Sequence, residues 1–191
     1  IRRAWRGEPI NFKGKRFFVD DIKVTPVPED TPKILIGAMV PAAISRAARI
    51  GDGFLCSGTL GLQEYTEAAK IPAIYAGCWA IIAEDPEREA AMLAPHILYQ
   101  ANEYIKWGAF GPPGSKPLYE DYKLAIEEGL YELWDAERAV EELAGLIKRF
   151  PIKDIHFWSR FPGESFNSGY ARLEYIASKV LPKLRKNEIK N

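Results

Sequence analysis

The sequence predicts an α/β fold in which short buried strands run parallel. Three observations carry this expectation. Apolar runs at 34–37 (Ile-Leu-Ile-Gly), 53–56 (Gly-Phe-Leu-Cys) and 74–83 lack polar alternation, as strands buried on both faces do, and 155–158 (Ile-His-Phe-Trp) reads as a fourth strand. Helical stretches separate the runs, and Gly, Pro or Asp stand at most of the joints. The resulting order, β-α-β-α-β-α(α)-β-α, implies right-handed crossovers between parallel strands. Four such units make either a small open sheet or half of an eight-stranded barrel.

The elements follow in order. The chain begins with Ile1 inside what reads as the end of a helix, so either the numbering starts mid-protein or an upstream segment is missing. Ile10 and Phe12 alternate on one arm of a hairpin, Lys13-Gly14 turns, and Phe17 and Val19 sit on the other arm. Pro26, Pro28 and Pro32 make the next stretch extended, since proline blocks helix and central-strand pairing. A helix rich in alanine runs from Pro41 to Ile50 and stops at Gly51, and a shorter one covers Leu62 to Lys70. Asp85-Pro86-Glu87 caps a helix reaching about Trp107. Six glycines and prolines make 108–117 a loop. Helices are expected at 119–133, 135–150 and 170–185; in the second, Ala139, Val140, Leu143 and Leu146 share one face. The chain thus reads as a single domain within a larger barrel: hairpin and lead-in 1–33, three βα units 34–107, insertion and helices 108–150, and a last βα unit 151–191.

Composition narrows the function classes. Lys plus Arg, 26, equals Asp plus Glu, 26, so no basic face for DNA or RNA is expected. No apolar run approaches the roughly 18 residues of a membrane span, and the N-terminus lacks the apolar core of a signal peptide. Two cysteines, Cys56 and Cys78, make no disulfide framework, so a cytoplasmic protein is expected. Without basic neighbours both read as small buried hydrophobes. Two isolated histidines and no clustered acids give no metal site. His96 reads as structural and His156 as a satisfied core residue. No dinucleotide fingerprint or phosphate loop occurs.

Several motifs together resemble the luciferase-like monooxygenase family. They are Gly7-Glu-Pro9, Phe12-Lys-Gly14-Lys15, Pro26-Val-Pro28, Ile34-Leu-Ile-Gly37 and Arg46-Ala-Ala-Arg49-Ile-Gly51-Asp52-Gly53-Phe54. Phe161-Pro162-Gly163 and Lys179-Val-Leu-Pro182-Lys-Leu-Arg185 extend the likeness to the C-terminus. The resemblance implies the C-terminal half, strands five to eight, of a (β/α)8 TIM barrel with a lead-in β-hairpin. It implies FMN or a deazaflavin (coenzyme F420) as cofactor and a small-molecule substrate. The missing half would hold the cofactor ring. The stretch 108–134 departs from the commoner members, and Leu133-Trp-Asp135-Ala-Glu137 stands where many have Gly-Thr/Ser-Pro-Glu, so no substrate is carried over.

Ligands of parallel α/β barrels bind beyond the C-terminal strand ends. Asp52 precedes its strand, so it reads as a turn residue at the opposite pole, which the hairpin should plug. At the upper rim, Pro41 at the first helical position makes Val40 the cap, and valine offers no side-chain oxygen to the free N–H groups. Gly37, Ala38, Met39, Val40, Ala42 and Ala43 are therefore candidate binders of a cofactor phosphate through backbone donors; the resemblance points to the same turn. Ser57 and Gly58 end the neighbouring strand and join the candidate set. Trp158 and Arg160 are candidates for substrate or an anion. Trp107, Phe110, Tyr119, Tyr122 and Trp134 form either a wall over a flat ligand or a satellite core under the loop. A second class of function remains open: a non-catalytic half-barrel that binds a flavin phosphate or only oligomerises. Such a chain would expose Leu, Ile, Phe and Trp on one sheet face and would dimerise or be completed by a missing N-terminal half.

Overall fold

The structure, a computed structural model, describes residues 1–188; the last three residues of the 151–191 segment lie outside the described residues. Helix α1 (Arg2–Trp5) leads into an antiparallel hairpin, β1 (Ile10–Lys13) with β2 (Phe18–Ile22). The central sheet has four parallel strands in the order β3 (Leu35–Ile36), β4 (Gly53–Ser57), β5 (Ile74–Cys78) and β8 (Ile152–Phe157). Their order along the sheet is their order in sequence, as simple βα crossovers require.

The crossovers are α2 (Pro41–Ile50), α3 (Leu62–Ala68) and a longer excursion after β5. Phe54 and Cys56 point from β4 into a core with Ile44, Ala47, Leu62 and Tyr65, and Phe54 stacks on Tyr65 at 4.8 Å. Both rings are almost fully buried; burying a side chain of this size contributes about 1.5–3 kcal/mol. Gly61, before α3, has φ +77°, and a Cβ there would come within 2.6 Å of Ile44 Cδ1. Only glycine meets both conditions.

After Cys78 the third strand changes partners. Trp79 interrupts it, and β6 (Ala80–Ile82) pairs in parallel with β7 (Glu132–Trp134). The expected helix at 119–133 is therefore a short α6 (Tyr122–Glu127) followed by a strand. Gly129, at φ +75°, ends the helical run, and Glu132 N donates to Trp79 O. The expected helix from 86 to 107 divides at Leu93 into α4 (Pro86–Met92) and α5 (Ala94–Lys106), because Pro95 has no N–H for the turn before it. Asp85 caps α4 through Arg88 N, as the sequence predicts.

Helix α7 (Ala136–Arg149) is capped by Asp135 through Arg138 N. It packs with Ile176 and Val180 on the sheet side, where α8 (Phe166–Tyr175) continues through a π-turn at Ile176–Val180 into α9 (Leu181–Glu188). Helices cover only one face of the central sheet. In β4, Leu55 and Ser57 are exposed while Phe54 and Cys56 are buried. In β8, Asp154 and His156 are exposed while Ile155 and Phe157 join the helical cores. The open face is thus more polar than the apolar surface the sequence predicts.

Candidate functional site

Four chain segments leave the C-terminal end of the sheet together: Gly37–Val40 after β3, Ser57-Gly58 after β4, Trp79 after β5, and Trp158–Arg160 after β8. The hairpin joins Leu35 through the proline-rich lead-in, at the other end of β3. That pole is closed by Asp52. Its carboxylate accepts from Arg2 Nη1 at 2.7 Å and from Ile34 N at 2.8 Å, and these bonds hold it below the usual carboxylate range. Asp52 therefore tethers α1 and the lead-in, away from the rim.

At the rim, Val40 caps α2 with no side-chain hydrogen bond, and no acid lies in the first turn. Among the described residues, the N–H groups of Ala38, Met39, Val40 and Ala42 have no protein acceptor. Ala43 differs from the expectation: its N–H donates to Val40 O at 2.9 Å, tightening the first turn. Gly37 packs against β4, where an added Cβ would stand 3.4 Å from Leu55 O. Met39, Val40 and Ala42 are exposed, so the free donors face water at the positive end of a ten-residue helix.

Ser57 lies one strand over. Its Oγ accepts from Trp79 Nε1 at 2.7 Å, and Gly58 N donates to Gly77 O. Trp79 is the hub of the rim, with ring centroids of Tyr104, Tyr131 and Trp158 at 5.4, 5.6 and 5.8 Å. Trp107 packs edge-on against Tyr104 and is otherwise exposed. The aromatic wall is therefore Trp79, Tyr104, Trp107 and Trp158. Of the group expected around the insertion, Tyr119 and Tyr122 belong to a satellite core with Ile97 and Ala125, and Trp134 packs against the α7 cluster.

Trp158 stands at the rim as expected. Arg160 turns toward α8: its side chain packs on Gly169, where a Cβ would be 2.8 Å from Arg160 Cβ. There it lines a hollow of about 250 Å³ with Phe166, Tyr170 and Leu173. His156 is not a satisfied core residue. It is exposed on the open face, without a hydrogen bond among the described residues, and edge-on to Trp158 at 6.1 Å. The signal for it was antiphase: His156 falls out of step with Ile155 and Phe157, which puts it on the other face. Trp79 had no such signal, because its role arises from a break in the strand.

His96 is structural, its Nδ1 3.0 Å from Pro162 O. Burial pushes the Cys56 thiol up to about 11 and the Cys78 thiol up to about 12, so both are inert at neutral pH. Among the described residues, no group of His, Cys, Asp or Glu is placed to hold a metal ion. No described helix is long and apolar enough to cross a membrane.

A parallel α/β layer whose strand ends open onto free peptide donors and aromatic side chains defines a class of fold, the βα-repeat proteins, in which ligands bind at that pole. The chain belongs to the luciferase-like monooxygenase family, whose model matches residues 1–104. It is 35% identical over 80 residues to an F420-dependent glucose-6-phosphate dehydrogenase of Amycolatopsis mediterranei, 42% of this chain and 24% of that protein. The corresponding enzyme of Mycobacterium leprae is 33% identical over 99 residues, 52% of this chain and 29% of that one. The matches span about a quarter of these relatives' length. The fold matches monooxygenase RslO1 from Streptomyces bottropensis with a TM-score of 0.68 at 19% identity, covering 95% of this chain and 57% of that one. It also matches an F420-dependent secondary alcohol dehydrogenase solved with an F420-acetone adduct, with a TM-score of 0.64 at 17% identity, over 96% of this chain and 58% of that one.

Proposed function

We propose that this chain forms strands five to eight of a (β/α)8 barrel in a flavin- or deazaflavin-dependent oxidoreductase acting on a small organic molecule. The unclaimed amides of Ala38, Met39, Val40 and Ala42 carry this reading. A phosphate group is the ligand such donors fit, because the helix end is positive and no acid opposes it. Family membership supports a cofactor with a phosphate-bearing tail, and relatives of both kinds, F420-dependent and FMN-bound, share the fold. The residues fit either cofactor, since the phosphate is common to both.

The bound flavin or deazaflavin supplies hydride transfer, or in the flavin case oxygen chemistry as well. This chain's residues do the holding. Amides at the start of α2 anchor the tail, with Ser57 and Gly58 beside them. Trp79, Tyr104 and Trp158 wall the site and keep water from the reacting groups. The open sheet face, with Leu55 and Trp158 each more than 40% exposed, is covered by the rest of the barrel in this reading. A non-catalytic half-barrel closing that face against a second copy is the alternative.

The visible absorption spectrum of the natively purified full-length protein tests the proposal. A flavin or deazaflavin band that follows the protein through gel filtration supports it. Protein that purifies without a band, and binds neither FMN nor coenzyme F420 when titrated, refutes it.

A further inference from the structure

We infer that Ser57 and His156 form a hydrogen-bonding pair that takes one hydroxyl or carbonyl oxygen of a ligand above Gly77, an inference that rests on the rim being the ligand-binding pole. The three residues form one row across the sheet, Ser57 paired with Gly77 and Gly77 with His156, on the face no helix covers. The imidazole uses the room that glycine leaves. A Cβ at Gly77 would stand 3.0 Å from His156 Nε2 and 3.3 Å from Cε1. The ring therefore lies over β5, and its Nε2 is about one strand spacing, about 4.8 Å, from the Ser57 strand. Two hydrogen bonds of about 2.8 Å meeting at one oxygen span such a gap.

The donor inventory suits that oxygen. Ser57 Oγ already accepts from Trp79 Nε1, so its own proton is free to donate outward. His156 has no protein partner among the described residues, and an imidazole nitrogen donates or accepts according to tautomer. A carbonyl oxygen accepts from both groups. A hydroxyl accepts from Ser57 and donates to the ring. The pair therefore accommodates both members of an alcohol–carbonyl couple by a change of imidazole tautomer, with no movement of heavy atoms. Trp79 and Trp158 wall the same spot, so a ligand lacking the oxygen would leave two polar groups unpaired behind it, a strong basis for rejection.

The oxygen has two possible sources, a carbonyl on the cofactor ring or the substrate's own oxygen, and one experiment separates them. In full-length protein labelled with 15N-histidine, the His156 signals are those lost in His156→Gln. FMN and coenzyme F420 are titrated separately, followed by cyclohexanol and cyclohexanone as probes. Movement of the His156 signals on cofactor addition assigns the oxygen to the ring; movement only with the probes assigns it to substrate. His156→Gln and Ser57→Ala each weaken that ligand about tenfold. Gly77→Ala does the same by displacing the imidazole. Unmoved His156 signals and unchanged affinity in His156→Gln and Ser57→Ala, with cofactor still bound, overturn the pair and leave the proposed function standing. Wild-type protein that binds neither cofactor overturns both.

Discussion

Arg172 grips Glu164 with both arms of its guanidinium, Nη1 to Oε1 and Nη2 to Oε2, each at 2.6 Å. The side chains are 6% and 2% exposed. The same Arg172 reaches Glu89 on α4 and Ser159 O, and Glu164 also accepts from Phe161 N. One buried cation thus ties α8 and α4 to the loop that carries Trp158 to the rim. Replacing it by Arg172→Met strands two carboxylates, and the expected loss of unfolding free energy is about 3–5 kcal/mol. Adding Glu164→Gln to that variant should recover part of the loss, since one stranded charge is removed. Urea unfolding of the three proteins measures both effects.

The same pair sets an acid limit. Burial by itself would raise the Glu164 carboxyl; the Arg172 hydrogen bonds, with those from Ser168 and Phe161 N, outweigh it and hold the group below its ordinary value. A carboxylate lowered in the folded state contributes stability above the unfolded pKa of about 4.3, and loses it as pH falls through the folded value. The stability gap between wild type and Glu164→Gln is therefore expected to be full at pH 7 and to narrow below about pH 4. A gap that is constant down to acid unfolding would contradict this.

Asp52 tests the division of the molecule into two poles. Its bonds to Arg2 and Ile34 N are only partly buried, so Asp52→Ala should cost about 1 kcal/mol. Cofactor affinity should stay unchanged, because nothing at the rim touches it. Thermal unfolding and a cofactor titration of the one variant check both halves of the statement.

The strands were legible because runs such as 34–37 and 53–56 are apolar and too short for a helix, although helices cover only one face of each in the structure. The start of α2 was legible for a local reason: Pro41 fixes the first turn, and Val40 cannot cap it. The strand at 132–134 was hidden because Leu130, Tyr131, Leu133 and Trp134 continue the helical pattern of α6, and only the register with Ala80–Ile82 makes them a strand. The orientation of Arg160 was hidden as well, since it follows from the packing of α8, where the missing side chain of Gly169 leaves room for it. The role of Trp79 depends on the same kind of long-range meeting, with Ser57, Tyr104 and Trp158.

The central claim is that amides at the start of α2 hold a phosphate, and paired ligands with one mutation test it. Ala42 is exposed and its N–H is free, so Ala42→Asp places a negative charge at the helix end without disturbing packing. Helix stability should rise by a few tenths of a kcal/mol, while the phosphate is repelled. Calorimetric titration of full-length protein compares FMN with riboflavin, and coenzyme F420 with its phosphate-free deazaflavin. The account predicts that wild type prefers the phosphate-bearing member of one couple at least about tenfold, and that Ala42→Asp abolishes the preference. Equal affinity for both members in wild type, or a preference that survives Ala42→Asp, would contradict it.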